Sequence, residues 1–201
     1  MRFSFSPSLP ARLVAMVAVA AFAVACATDG PTTPVLDAGH TGPVRAVLSN
    51  TSIKVTTLQR ATPLASPISV SKTIGPLGGV IAIPAAGLSV TFPPLAVAKA
   101  TTITVTALAG RAVAYEFAPH GLTFTVPLIA IQDLTKTNTT GLDLSLLSAG
   151  YFEDSKDINS LTGTAKVSEL FNVNATLSPL TAVWTIPHFS GYLVATGRSG
   201  E

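Results

Sequence analysis

Apolar and polar residues alternate along several short stretches of the chain. Ser89-Val90-Thr91-Phe92, Thr102-Ile103-Thr104-Val105-Thr106 and Ala182-Val183-Trp184-Thr185-Ile186 carry apolar side chains at every second position. That period belongs to a half-buried β-strand, in which successive side chains point to opposite faces. Gly78-Gly79, Pro84, Gly87, Pro93-Pro94, Gly110, Pro119, Gly121 and Pro127 interrupt the runs at the short intervals of a sandwich or barrel. No amphipathic helical stretch of about ten residues occurs beyond the N-terminal run, so helices wound against a parallel sheet are not expected. The pattern predicts an all-β, antiparallel β-sandwich domain over residues 68–197, with 198–201 as a short tail.

A different pattern governs the start of the chain. Leu13 to Ala25 is apolar and uncharged, with Arg2 and Arg12 ahead of it. A basic start, a short apolar run and small residues before a break define a secretory signal, predicted here over residues 1–25. The run is too short to span a bilayer, which takes about 20 apolar residues. Ala23-Val24-Ala25-Cys26 resembles a bacterial lipobox, and that resemblance implies that Cys26 is lipidated and becomes the mature N-terminus. Ala23-Val24-Ala25 also fits the A-x-A site of ordinary signal peptidase, so an exported chain with an unmodified Cys26 is the other reading. Cys26 is the only cysteine, and an exported chain seldom keeps one unpaired thiol, which favours lipidation. Ala27 rather than Asp follows it, which resembles a lipoprotein sorted to the outer membrane. Residues 26–67, with Thr32-Thr33-Pro34, Gly39 and Gly42-Pro43, then read as a flexible tether and lead-in to the domain. Within it, Ile53 and Val55 alternate with polar neighbours in a stray strand pattern, and His40 is expected to be exposed.

Charge changes the picture once the signal is set aside. The chain holds twelve Lys and Arg against ten Asp and Glu, and removing Arg2 and Arg12 leaves ten of each. A formally neutral mature chain with scattered cations offers no clustered face for phosphates, so nucleic acid is not an expected partner. The expected partners are the membrane, through lipid on Cys26, and an unidentified protein or envelope component.

Two longer stretches carry a family resemblance. Ile74-Gly75-Pro76-Leu77-Gly78-Gly79-Val80-Ile81-Ala82-Ile83-Pro84, continued by Leu88-Ser89-Val90-Thr91-Phe92-Pro93-Pro94-Leu95-Ala96-Val97, resembles the opening of the ZU-five domain. Ala118-Pro119-His120-Gly121-Leu122-Thr123-Phe124-Thr125-Val126-Pro127-Leu128 resembles its Pro-x-Gly-Leu-x-Phe-x-x-Pro-Val segment, and His188-Phe189-Ser190-Gly191-Tyr192 its closing strand. The matches keep family order over residues 73–196. In one departure, Leu95 stands where the family's Pro-x-Gly-Ala carries glycine. The resemblance implies a ZU-five-like β-sandwich acting as a structural or protein-interaction module. Physical reading of the glycines agrees: Gly78-Gly79 suits a turn with positive φ, and Gly121 relieves a bend so that Leu122, Phe124 and Val126 share a face. No helix or Lys-Ser/Thr follows Gly75–Gly79, so these glycines do not form a phosphate loop.

His188-Phe189-Ser190 is the one candidate for chemistry. In some animal members of the family the resembling tripeptide cleaves its own Phe–Ser bond. Residues i and i+2 of a strand share a side, so His188 as general base would serve Ser190 Oγ as nucleophile against the Phe189 carbonyl. The favoured expectation is that the tripeptide closes the sheet, with Phe189 in the core, His188 at the rim and no enzymatic activity. Gly191 would soften the backbone strain that cleavage requires.

Other sites rank lower. A triad of Ser190 with His188 or His120 and Asp133 or Glu116 lacks a nucleophile elbow. Glu153, Asp154, Asp157 and Asn159 miss the EF-hand spacing and read as a solvated turn, so neither metal nor cofactor is expected. Trp184 is placed in the core. With aromatics at 6% of the chain, an envelope glycan-binding domain is the weaker alternative.

Overall fold

A computed structural model describes residues 52–199. The signal run 1–25, Cys26, the tether up to residue 51 with His40, and residues 200–201 lie outside the described residues. The rest is an all-β, antiparallel β-sandwich. In chain order the strands are β1 (Ile53–Thr57), β2 (Gln59–Leu64), β3 (Ile68–Ile74), β4 (Gly79–Ile83), β5 (Leu88–Phe92), β6 (Thr101–Ala107), β7 (Gly110–Ala112) and β8 (Ala114–Ala118). They continue as β9 (Thr123–Asp133), β10 (Ser148–Phe152), β11 (Ile158–Asn159), β12 (Thr164–Val167), β13 (Glu169–Asn172), β14 (Asn174–Leu177), β15 (Leu180–His188) and β16 (Gly191–Arg198). The only helical pieces among the described residues are single 3-10 turns.

The larger sheet runs β11-β12-β1-β16-β8-β6-β3, with β10 joined to β16 and carrying β13 at its outer side. Facing it is a five-stranded sheet in the order β14-β15-β9-β5-β4, and β2 and β7 form a separate ribbon. Ile81, Val90, Phe92, Leu128, Trp184 and Ile186 from the smaller sheet meet Ile103, Val105, Tyr115, Phe117, Tyr192 and Val194 from the larger one in a single core. The three alternating stretches lie within β5, β6 and β15, and Trp184 is buried as expected. On the outer face of β3 and β6 the polar half of the alternation pairs across strands. Ser69 meets Thr106 and Ser71 meets Thr104, with hydroxyl oxygens 2.8 and 2.7 Å apart.

β16 departs from alternation, since Gly191 to Ala195 are all buried. Tyr192 and Val194 enter the main core, while Leu193 and Ala195 face a second cluster with Val55, Ala114, Phe152 and Val167. A strand covered on both sides reads as a continuous apolar run, and Tyr192-Leu193-Val194-Ala195 is one.

The domain begins earlier than the composition shift near Pro67 suggests. β1 sits between β12 and β16, with Ile53 opposite Val167 and Val55 opposite Arg198, and Val55 is fully buried. The lead-in after residue 52 is thus sheet, not tether. At the other end, Arg198 still belongs to β16, and the Ser199 amide donates to the Lys54 carbonyl at 2.9 Å. The segment also carries a buried cation that composition does not announce. Arg60 Nη1 donates to the carbonyls of Leu108 at 3.1 Å and of Ala112, and Nη2 to that of Ala114 at 3.3 Å. Its guanidinium lies 5.5 Å from the centre of the Tyr115 ring. Burial pushes the Tyr115 hydroxyl up to about 12, against the opposing pull of Arg60. That hydroxyl remains a donor, to the Ala86 carbonyl at 3.0 Å and to the Gln132 side chain.

Candidate functional site

His188 ends β15 and Gly191 starts β16, so Phe189 and Ser190 form the tight connection between the two sheets. The side-chain alternation of a continuous strand therefore stops at His188. The structure gives His188 and Ser190 separate partners. His188 Nε2 lies 3.4 Å from Glu169 Oε1, whereas Ser190 Oγ donates to the Glu153 carbonyl at 3.2 Å. Ser190 is buried, and Phe189 occupies the core position expected of it.

Four backbone groups around the Phe189–Ser190 bond are held. The Phe189 amide donates to the Leu122 carbonyl at 2.7 Å, and the Gly121 amide donates to the Phe189 carbonyl at 3.2 Å. The Phe117 amide donates to the Ser190 carbonyl at 2.8 Å, and the Tyr192 hydroxyl to the His188 carbonyl at 2.9 Å. Gly121 has φ +79, a left-handed conformation that bends the chain toward the corner. Beyond it Phe124 turns inward, while Val126 reaches the rim and Leu128 resumes the core.

Aromatic packing locks the side chains. The Phe189 ring stacks on Phe117 at 5.2 Å and meets Phe124 edge-on at 4.8 Å and Phe92 at 6.4 Å. The His188 ring stands edge-on to Tyr151 at 4.5 Å, with Phe171 and Tyr192 next to it. Burial pushes the Tyr151 and Tyr192 hydroxyls up, the nearby carboxylates of Glu153 and Glu169 add to the effect at Tyr151, and a hydrogen bond with Ser190 opposes it there. Both phenols stay neutral around neutral pH and act as hydrogen-bonding groups.

Space constrains Gly191 in addition to any backbone softness it lends. A Cβ there would lie 2.1 Å from the nearest atom of the Phe152 ring. Phe152 itself is buried.

The remaining candidates do not converge on Ser190. Asp133 stands at the far end of β9 from Thr123, the residue in register with His188. Its carboxylate accepts from the Thr135 amide and hydroxyl at 2.9 and 2.6 Å. His120 is exposed in the preceding bend. Glu116 lies opposite Gly191 in register, next to the corner, on the outer side of β8 with Thr106. Asp154 accepts from the Lys156 amide at 2.9 Å and pairs with its ammonium at 3.4 Å. Asn159 Oδ1 accepts from the Leu161 and Thr162 amides at 3.0 and 3.2 Å. Among the described residues no group of three or more His, Cys, Asp or Glu is arranged to hold a metal.

Tyr151 and Glu169 are the corner residues that sequence reasoning passed over, and Glu153, read there only as part of a solvated turn, supplies the carbonyl that Ser190 Oγ bonds. Tyr151 and Glu169 face each other across β10 and β13, and only strand register brings them to His188. No protein-family model matches the chain, and no curated protein matches it.

Proposed function

We propose that this chain is a lipid-anchored cell-envelope protein, held to the outer membrane through Cys26, that presents a ZU-five-like β-sandwich as a non-enzymatic structural or protein-interaction module. One observation carries the family reading. Leu95, which stands where the ZU-five pattern has glycine, has φ 65 and is the sole non-glycine residue with positive φ among those described. The backbone at that position takes the conformation that favours glycine. The matching segments also recur in family order, and the His188-Phe189-Ser190 connection closes the core. The anchor reading rests on the apolar run, the small residues before Cys26 and the absence of a second cysteine.

Intact-mass and peptide mass spectrometry of the chain purified from its membranes tests the anchor. A mature chain starting at an acylated Cys26, and release of Cys26→Ser into the soluble exported fraction, are the expected results. A chain carrying an unmodified Cys26 overturns the anchor. Crosslinking in intact cells, followed by identification of what copurifies, tests the interaction role. A chain that crosslinks to nothing and is dispensable for envelope integrity overturns that role.

Self-cleavage at Phe189–Ser190 is the second reading, favoured by the Gly121 amide on the Phe189 carbonyl, the side on which an oxyanion would form. Against it, Ser190 Oγ and His188 Nε2 are turned to Glu153 and Glu169. One intact mass after prolonged incubation at neutral pH retires this reading. The glycan reading has less support, because none of the large hydrophobic side chains in the exposed class among the described residues is aromatic.

A further inference from the structure

Two turns meet at one end of the sandwich. Gly75-Pro76-Leu77-Gly78 joins β3 to β4, and its Gly78 amide donates to the Gly75 carbonyl at 2.9 Å. The loop after β5 crosses beside it, where the Leu95 amide donates to the Pro76 carbonyl at 2.8 Å. Leu77 and Leu95 both point outward, 93% and 71% exposed, and Val80 next to them is half exposed. The base under them is fixed: Ile74, Phe92, Ala96 and Val97 are buried.

This arrangement carries a cost that the fold does not require. A left-handed leucine is about 1–2 kcal/mol worse than the right-handed alternative, a penalty that glycine escapes. Leu95 accepts that penalty while burying little of its side chain, so its apolar surface is not spent on the core. Local strain that packing does not explain is a pointer to function.

Charge narrows the ligand. The sequence has no Asp or Glu between Asp37 and Glu116, so β3, β4, β5, β6 and the two turns hold none. Lys72 sends its ammonium to the Val80 carbonyl at 3.1 Å, and Lys99 is exposed in the same loop as Leu95. Two leucines on rigid turns are too little for a stable protein interface, which buries about 800 Å² on each partner. They suit a bilayer, where a few apolar side chains sink about 5–10 Å into the headgroup boundary and nearby lysines meet anionic lipid.

We propose that the paired turns at Leu77 and Leu95 dock the domain onto an anionic lipid surface. The proposal rests on the lipid-anchor reading for the proximity it supplies. The turns stand at the Ser190 end of the sandwich, because β3 ends where β6 begins and β6, β8 and β16 follow in register. β1 begins at the other end of β16, opposite Arg198, about 25 Å away for eight strand residues. A flexible linker of 25 residues averages about 25–30 Å end to end, and the sequence has 25 residues between Cys26 and Ser52. That reach lets an anchored domain lay its leucine end on the same bilayer.

The test uses the full chain in vesicles of phosphatidylglycerol and phosphatidylcholine whose acyl chains carry bromine, a contact quencher of indole fluorescence. Leu77→Trp reports on the turns, while Leu161→Trp, at a position 96% exposed in the turn before β12, is the control. Trp184 is buried and gives a constant background. Quenching of Leu77→Trp at least about twofold beyond Leu161→Trp is expected for a side chain seated at the headgroup boundary. Adding Leu95→Gly or Lys99→Glu to Leu77→Trp is expected to remove most of that excess, although Leu95→Gly strengthens the fold. Equal quenching at the two positions, stronger quenching of Leu161→Trp, or an excess indifferent to Leu95→Gly overturns the proposal. So does an unquenched Leu77→Trp whose position crosslinks to a protein, which would assign the turns to a protein partner. The mass at Cys26 reports separately on the anchor. Quenching is read whether the chain joins the vesicle through acylated Cys26 or through the apolar run 13–25, so the two failures are told apart.

Discussion

The Ser190 corner and the Leu77–Leu95 turns share one end of the sandwich but are built in opposite ways. At the corner, the residues with chemically suggestive names are buried or bonded: Phe189 in a nest of rings, Ser190 on the Glu153 carbonyl, His188 beside Glu169. At the turns, residues with no reactive groups stand in water on a strained backbone. A motif rich in reactive residue types is thus taken up in packing and hydrogen bonds, and the plainer segment is the one whose features the fold leaves unexplained. Residue type alone does not locate function; the balance of costs at a position is the better guide.

Four measurements test that contrast, and the largest effect lies at the corner. Phe189→Ala removes a ring that touches three others and should cost about 3–5 kcal/mol of unfolding free energy. A denaturant-midpoint loss under about 1 kcal/mol would mean that the corner is not locked by packing. Gly191→Ala comes next, because a Cβ pressed into the Phe152 ring forces a shift costing about 2 kcal/mol. Restored stability in Gly191→Ala with Phe152→Leu would show that space, not backbone freedom, selects the glycine. At the turns the sign reverses. Leu95→Gly relieves about 1–2 kcal/mol of left-handed strain but adds backbone freedom to the unfolded chain, for a net gain of about 0.5–1 kcal/mol. A lower melting temperature would contradict that account.

The smallest effect is a pH dependence beside the corner. The Lys156 amide, which donates to Asp154, holds that carboxyl below its usual 3.8. A depressed folded pKa contributes stability that is present above the unfolded value and lost as pH falls through the folded one. Amide exchange at Lys156 should quicken only in acid below pH 3.8, once the rate is corrected for intrinsic pH dependence. Unchanged protection down to pH 2 would mean that the carboxylate does not hold the turn.

What could be read ahead of the structure followed physical range. β5, β6 and β15 declare themselves by period two, and Gly78, with φ 76, sits in the turn its sequence suggests. β1 was only a stray pattern, because its partners Val167 and Arg198 lie more than a hundred residues downstream. Arg60 gave no sign of burial, since its acceptors are backbone carbonyls that any sequence could supply. At the corner, Phe189 in the core and His188 at the rim were legible from the tripeptide. Glu169 and Tyr151 beside His188 were not, because the β10–β13 register decides them. The steric constraint on Gly191 is not legible in sequence, because it comes from Phe152, a distant residue in the chain.

The position of β1 has a mechanical consequence. It is flanked by β12 and β16, both antiparallel to it, and lies nearest in sequence to Cys26 among the described strands. A pull from that side, resisted at the opposite end of the sandwich, acts along the strand and across its hydrogen bonds, which lie perpendicular to it. Bonds loaded in shear share the force and fail together, unlike those of a peeled hairpin, which open one by one. In a chain anchored through Cys26, this first described strand would therefore carry the tension.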